Sequence, residues 1–252
     1  MFLHLELAQC FFCCILHVFV PILFQDLLQR INSLFIPDLA QGLGGILSNR
    51  RVADVITASG CDLAALNEVW RVGSRYDQPR VLGSLTARTA VFHSLQSAWT
   101  REIGNLVLSG LEILGTREVD LGGRRERRGC LIAEVKMGET VVDFAVTHLS
   151  LHRATRAAQL AQLAECLPSD RPLVLAGDFN CGVAELEVLR GVLTFSSEVP
   201  ATYPSVRPFR ALDHIGYSRH WALEALEAPP SLASDHRPLV ADLRLIGSES
   251  KQ

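Results

Sequence analysis

The apolar run Leu173-Val174-Leu175-Ala176 stops at Gly177 and then presents Asp178 and Asn180, a carboxylate and a carboxamide two residues apart. Its length and apolar content fit a buried strand. Side chains alternate along a strand, so Asp178 and Asn180 point to one side while Phe179 points to the other, into packing. Gly and Asp are also common turn residues, and this run alone leaves a turn and a catalytic strand end equally open.

Four further apolar runs end in the same way. Asp62–Val69 delivers Glu68, Val141–Leu149 delivers His148, Ala211–Tyr217 brings in Asp213, and Ala233–Leu239 brings in Asp235 and His236. The first two have strand length and apolar or β-branched content. The polar set consists of Asp, Glu, Asn and His, with no cysteine in it. Hard oxygen donors suit Mg²⁺, Mn²⁺ or Ca²⁺, whereas a structural zinc site calls for cysteines or several histidines at short spacing. A magnesium-type ion binds through one or two carboxylates plus the substrate's phosphate oxygens, which points to phosphoester hydrolysis.

At 252 residues, with 48% of them apolar, the chain is expected to form one sizeable domain with a packed core. The spacing predicts a helix over Ser48–Ser59, the Glu68 strand, then strands at Val81–Leu85, Thr89–His93, Asn105–Ser109, Glu112–Leu121, Cys130–Lys136 and Thr140–His148. Short turns between these strands suggest antiparallel pairing. Helices are predicted over Ala154–Leu167, ended by Pro168, and Glu185–Leu193. Closing strands carry Asp213 and the alternating Pro238–Leu245. The fold class is α/β (α+β), with mixed strands and flanking helices fitting two packed sheets with helices outside.

Asn67-Glu68-Val69, Gly104-Asn105 through Ser109, Thr147-His148-Leu149, Gly177-Asp178-Phe179-Asn180, Leu212-Asp213-His214-Ile215 and Ser234-Asp235-His236-Arg237-Pro238-Leu239 follow one another in order. In this the chain resembles the endonuclease/exonuclease/phosphatase superfamily over about Arg50 to Leu245. Relatives in that superfamily include pancreatic deoxyribonuclease, abasic-site endonucleases, inositol-phosphate 5-phosphatases and neutral sphingomyelinases. Thr202-Tyr203-Pro204-Ser205 leading to Asp213 looks like small bacterial members known only as metal-dependent hydrolases.

The resemblance implies a four-layer sandwich of two mixed sheets flanked by helices, and a divalent-metal-dependent phosphoesterase using a water nucleophile. It implies Glu68 as the main metal ligand, Asp178 as the group that orients or deprotonates the water, and Asn180 as the group that holds the water or a phosphate oxygen. His236 would contact the scissile phosphate with Asp213 behind it, fixing its tautomer. Asp235 would complete the metal or histidine network, and His148 would be a second acid or phosphate contact near the leaving group. Asn105 matches a position near the family's site. His214 alternates away from Asp213 and reads as structural; His93, His152 and His220 read as ordinary surface or partly buried histidines.

The formal net charge of −3 argues against a broad basic face for duplex DNA, although a local patch would serve a nuclease. Arg124-Arg125-Glu126-Arg127-Arg128 reads as a solvated hairpin loop. Arg153 and Arg156, at i and i+3 after the His148 strand, are the better phosphate-binding candidates. The seven cysteines form no disulfide framework and are expected to be reduced and mostly buried.

The N-terminus departs from the relatives, which open with a strand ending in Asn close to the metal. Here Asp38 takes that place, as a further metal ligand or as a carboxylate repelling Glu68. Pro37 removes a ladder donor there, and Asn67 stands where relatives usually carry Gln. Residues 32–247 form the expected domain, with residues 1–31 an apolar extension and 248–252 a tail. Within the extension, Leu7–Phe24 is just long enough to span a bilayer, and three readings compete: a membrane anchor, a buried helix packed on the domain, and an atypical start of the coding sequence. The expected chain is a monomer, cytoplasmic or membrane-associated, acting on a phosphoester with nucleic acid among the candidates. A phospholipid or inositol-phosphate esterase is the alternative within enzymes, and a membrane-associated or binding protein that kept the fold but lost turnover is the alternative outside them.

Overall fold

The computed structural model describes residues 13–19, 30–35, 43–74, 76–123 and 126–246. In chain order these form β1 (Cys13–Phe19), β2 (Arg30–Phe35), α1 (Leu43–Ala58), β3 (Leu63–Val72), β4 (Tyr76–Asp77), α2 (Gln78–Thr86), β5 (Thr89–Ala98) and β6 (Arg101–Ser109). There follow β7 (Glu112–Gly122), β8 (Arg128–Met137), β9 (Thr140–His148), α3 (Arg153–Cys166), β10 (Leu173–Asp178) and a 3-10 helix at Val183–Leu189. The chain closes with β11 (Thr194–Phe195), β12 (Asp213–Tyr217), β13 (Trp221–Glu227) and β14 (Val240–Leu245).

Two sheets carry the fold. One runs β13-β14-β1-β2-β3-β6-β5, with β4 against β3, and the other runs β11-β12-β10-β9-β8-β7. Their facing sides alternate apolar residues into a shared core that includes Leu63, Val107, Leu131, Val146, Val174 and Leu239. On the outer face of the first sheet, Val52 and Ile56 of α1 and Leu82 of α2 pack against Leu66 and Leu106. Beyond the second sheet, Leu160 and Leu163 of α3 cover Leu173, Leu175 and Ile132. The result is helix, sheet, sheet, helix, the four-layer α/β sandwich.

Two local expectations are corrected and one strand is added. Val81–Leu85 is part of helix α2, not a strand: the Asp77 side chain accepts from Arg80 N–H, Pro79 sits in the first turn, and Ala87 closes the helix in the left-handed conformation. The Glu185–Leu193 helix is a 3-10 helix over Val183–Leu189. Trp221–Glu227 is a strand the sequence reading passed over, paired antiparallel to β14 around a register shift between Leu223 and Ala225.

Part of the apolar stretch Leu7–Phe24 lies among the described residues. Cys13–Phe19 is neither an anchor helix nor a packed helix there but a strand, antiparallel to β3 and parallel to β14. Among the described residues no helix is long and apolar enough to cross a membrane. Pro37, Asp38, Arg124, Arg125 and the 248–252 tail lie outside the described residues.

Candidate active site

The register of the second sheet assembles the site. Asp178 at the end of β10 stands opposite His148 of β9 on one side and opposite Asp213 of β12 on the other. Partners in register project to the same face, so three strand ends deliver three titratable side chains to one corner. That corner faces the first sheet, where the pairing of β3 with β6 is broken between Leu66 and Val69. The irregularity re-aims Asn67 and Glu68, and Glu68 sits at φ 49°, a left-handed conformation that costs an ordinary residue about 1–3 kcal/mol and recurs at functional sites.

Asn67 stitches the sheets together. Its carbonyl oxygen accepts from Asp178 N–H at 3.2 Å, and its amide donates to Asn105 Oδ1 at 2.8 Å. The Asn105 amide in turn donates to Gly129 O at 3.0 Å and reaches Val146 O at 3.5 Å. The Asn105 amide nitrogen and its carbonyl oxygen are both engaged in this network, which braces the site.

Asp178 is completely buried. Its Oδ1 accepts from Asn180 N–H at 2.6 Å, and its Oδ2 lies 3.2 Å from His148 Nε2. Burial raises the Asp178 carboxyl well above the usual carboxylate range, with neighbouring Asp213 adding to the shift. Asn180 takes the left-handed conformation at φ 52° and donates to Leu149 O at 2.9 Å, which puts its amide nitrogen 3.2 Å from His148 Nε2. His148 is held well below its ordinary pKa by burial, then by Arg128 and His236.

The second histidine completes the corner. His236 Nδ1 lies 2.8 Å from Asp213 Oδ2, which also accepts from the Thr202 hydroxyl, and the Tyr203 ring packs on His236 with centroids 4.5 Å apart. Burial raises Asp213 well above its usual range and lowers His236 to about 3. Asp235 belongs to this side: its carboxylate accepts from Ser234, its charge acts on both His236 and Asp213, and burial raises its pKa. His214 faces the opposite way, bonded through Nε2 to Cys181 O at 2.8 Å and set edge-on to Phe179 and Phe195.

A cleft lined by Glu68, Gln96, Asn105, Arg127, Arg128 and His148 opens beside these groups. Arg128, read from sequence as part of a solvated loop, is 4% exposed. Its Nη1 lies 3.0 Å from His148 Nδ1 and 3.8 Å from Glu68 Oε1, and Nη2 donates to Glu126 Oε2 at 2.6 Å. The available signal was position: Arg128 opens β8, which pairs with β9 and so starts where the His148 strand ends. Arg156 corrects in the other direction. It is buried, donates to Ser150 O and Leu151 O at 2.9 and 3.0 Å, and pairs with Glu185 at 2.9 Å, which makes it a brace for the turn after His148. Arg153 is exposed on the first turn of α3.

A profile of the Endonuclease/Exonuclease/phosphatase family matches residues 32–236. The chain belongs to that family. Family members are hydrolases acting on phosphoesters, and this chain carries their fold. It is 35% identical over 161 residues to the uncharacterised protein YbhP of Escherichia coli, covering 56% of this chain and 63% of YbhP, so it spans less than two thirds of that relative. Among solved structures, an endonuclease/exonuclease/phosphatase of Beutenbergia cavernae superposes with a TM-score of 0.66 at 24% identity, over 79% of this chain and 66% of that one. A mannosyl-6-phosphatase of Bacteroides thetaiotaomicron superposes with a TM-score of 0.65 at 13% identity, over 81% of this chain and 96% of that one. These two likenesses show the fold.

The donor set fits a hard divalent ion in one particular way. Glu68 brings one carboxylate to the cleft, and a magnesium-type ion needs only one or two alongside its waters and the phosphate. Among the described residues no three His, Cys, Asp or Glu side chains converge to form a closed cage. Asp235 lies with the His236–Asp213 pair, and Asp38 is not among the described residues.

Proposed function

We propose that this chain is a divalent-metal-dependent phosphoesterase that uses water as its nucleophile. The observation that carries the reading is the juxtaposition of Asp178 with His148 in one buried corner, flanked by the Asp213–His236 pair. Glu68 would hold a Mg²⁺-type ion, which when bound would neutralise phosphate charge and polarise the phosphorus–oxygen bonds.

The remaining roles belong to the chain's own side chains. Asp178 would orient the attacking water and take its proton, a task suited to a carboxyl whose proton affinity is raised by burial. Asn180 N–H holds Asp178 Oδ1 in place and leaves Oδ2 facing His148. His236, turned by Asp213 on its Nδ1, would present Nε2 to the phosphate. His148, kept neutral by burial and Arg128, would contribute an N–H to a phosphate oxygen and not act as a second acid.

Kinship with a phosphatase and with an endonuclease/exonuclease/phosphatase protein supports the phosphoester class without choosing a member of it. The test is hydrolysis of bis-p-nitrophenyl phosphate with Mg²⁺, run beside plasmid DNA, sphingomyelin and inositol phosphates, with Asp178→Ala as control. Turnover that stops on adding EDTA and in the variant supports the reading. Turnover that survives EDTA overturns the metal mechanism.

A further inference from the structure

Arg128 is a cation buried where a cation is costly, and a group so placed is held by specific partners. Its Nη2 donates to Glu126 Oε2 at 2.6 Å, on the outer side. Its Nη1 reaches inward, 3.0 Å from His148 Nδ1 and 3.8 Å from Glu68 Oε1. We propose that Arg128 is a positioning residue that fixes His148 as the tautomer carrying its proton on Nε2, the ring nitrogen on the Asp178 side of the site. The proposal rests on the phosphoesterase reading for its catalytic consequence, not for the hydrogen bond itself.

Donor and acceptor inventory carries the argument. A guanidinium has five N–H donors and no acceptor, so at 3.0 Å the facing imidazole nitrogen must accept. A neutral imidazole with Nδ1 accepting has its proton on Nε2, which lies 3.2 Å from Asp178 Oδ2, an acceptor. The competing arrangement puts the proton on Nδ1 and donates it to Glu68 Oε1 at 3.5 Å. That proton would then point into the guanidinium, donor against donor. The Nδ1 end decides: the guanidinium at 3.0 Å is nearer and better placed than Glu68 Oε1 at 3.5 Å.

The planar fork also explains why arginine stands here. One guanidinium spans Glu126 and His148 at once, which a single ammonium point cannot do with the same geometry. Glu126 is about half exposed, so the bracket closes from solvent inward onto a buried ring. Asn180 Nδ2, which gives one proton to Leu149 O at 2.9 Å, also lies 3.2 Å from this Nε2, so the choice of tautomer rests on the Arg128 end of the ring.

The test is made on the full-length chain, with ¹⁵N-labelled histidine and two-bond ¹H–¹⁵N spectra at pH 8, the His148 signals being assigned through His148→Ala. The parent is expected to show the proton on Nε2. Arg128→Met is expected to populate the Nδ1-protonated form and to lower kcat on bis-p-nitrophenyl phosphate by roughly 10- to 100-fold with a smaller change in KM, and Arg128→Lys to recover part of both. Glu126→Ala, a change at an exposed side chain that leaves the core intact, is expected to shift the tautomer in the same direction by a smaller amount. An Nε2-protonated His148 that is unchanged in both Arg128→Met and Glu126→Ala would overturn the proposal. A parent inert on every phosphoester whose tautomer still depends on Arg128 would sustain the positioning role and overturn the phosphoesterase reading.

Discussion

Asp213 Oδ2 and His236 Nδ1 lie 2.8 Å apart in complete burial, with the Thr202 hydroxyl donating to the same carboxylate oxygen. Because that oxygen collects both donors, the imidazole is pinned at Nδ1 and its other nitrogen is directed at the site. Asp213→Asn preserves the volume but replaces a carboxyl oxygen acceptor with an amide that can turn its donors toward the ring. It is expected to lower kcat on the order of 100-fold or more while the chain still folds. Steady-state kinetics beside circular dichroism check this; parental kcat would show that His236 needs no orienting carboxylate.

Asp178 has the most demanding position, fully buried and in contact with His148. Asp178→Asn is nearly isosteric and keeps an acceptor for Asn180 N–H. The fold is expected to persist, and turnover of bis-p-nitrophenyl phosphate to fall by about 10²- to 10⁴-fold, the range for losing a general base. A folded variant with parental activity would remove Asp178 from the mechanism.

Gly177 is required by the neighbouring strand. A Cβ there would meet Thr147 O at 1.9 Å, so β10 would have to move off β9 just where Asp178 faces His148. Gly177→Ala is expected to cost about 1–3 kcal/mol in urea denaturation and to reduce kcat as well. Unchanged stability would mean that the strand pair opens without penalty.

Arg156 and Arg153 separate a brace from a surface charge. Arg156→Ala removes the donors to Ser150 O and Leu151 O and leaves Glu185 without its partner. Discounted for the partial exposure of Glu185, the expected loss is about 2 kcal/mol. Arg153→Ala, on an exposed turn, is expected to stay within about 0.5 kcal/mol of the parent. Equal losses in the two variants, measured by denaturant melts, would contradict this division.

His214 makes stability depend on pH. Burial lowers its pKa from 6.5 to about 4 in the folded chain. Between those values the unfolded chain binds the proton and the folded chain does not, so stability rises with pH across the window. The contribution is complete above pH 6.5 and is lost as pH falls toward about 4. His214→Gln retains a donor for Cys181 O without titrating, and its stability is expected to fall less steeply between pH 6.5 and 4. A parental slope in melts across that range would place the titration elsewhere.

The strand ends were legible because strand chemistry is local. Apolar runs ending at Glu68, His148, Asp178 and Asp213 mark where strands stop, and alternation states which side chains share a face. The helix over Gln78–Thr86 was missed because Val81, Leu82 and Leu85 suit either element, and the decision lay in the Asp77 cap and the packing of Leu82 beneath the first sheet. Sequence by itself determined the residue types of the site, their order along the chain and, through family resemblance, the sandwich that carries them. Only tertiary structure decided which neighbours they meet. Arg128 was drawn out of a basic loop to His148, and Arg156 was turned from substrate toward the Ser150–Leu151 turn. The reason is physical: a long charged side chain can reach in many directions from its Cα, and which donor or acceptor it finds depends on strands brought alongside from distant parts of the chain.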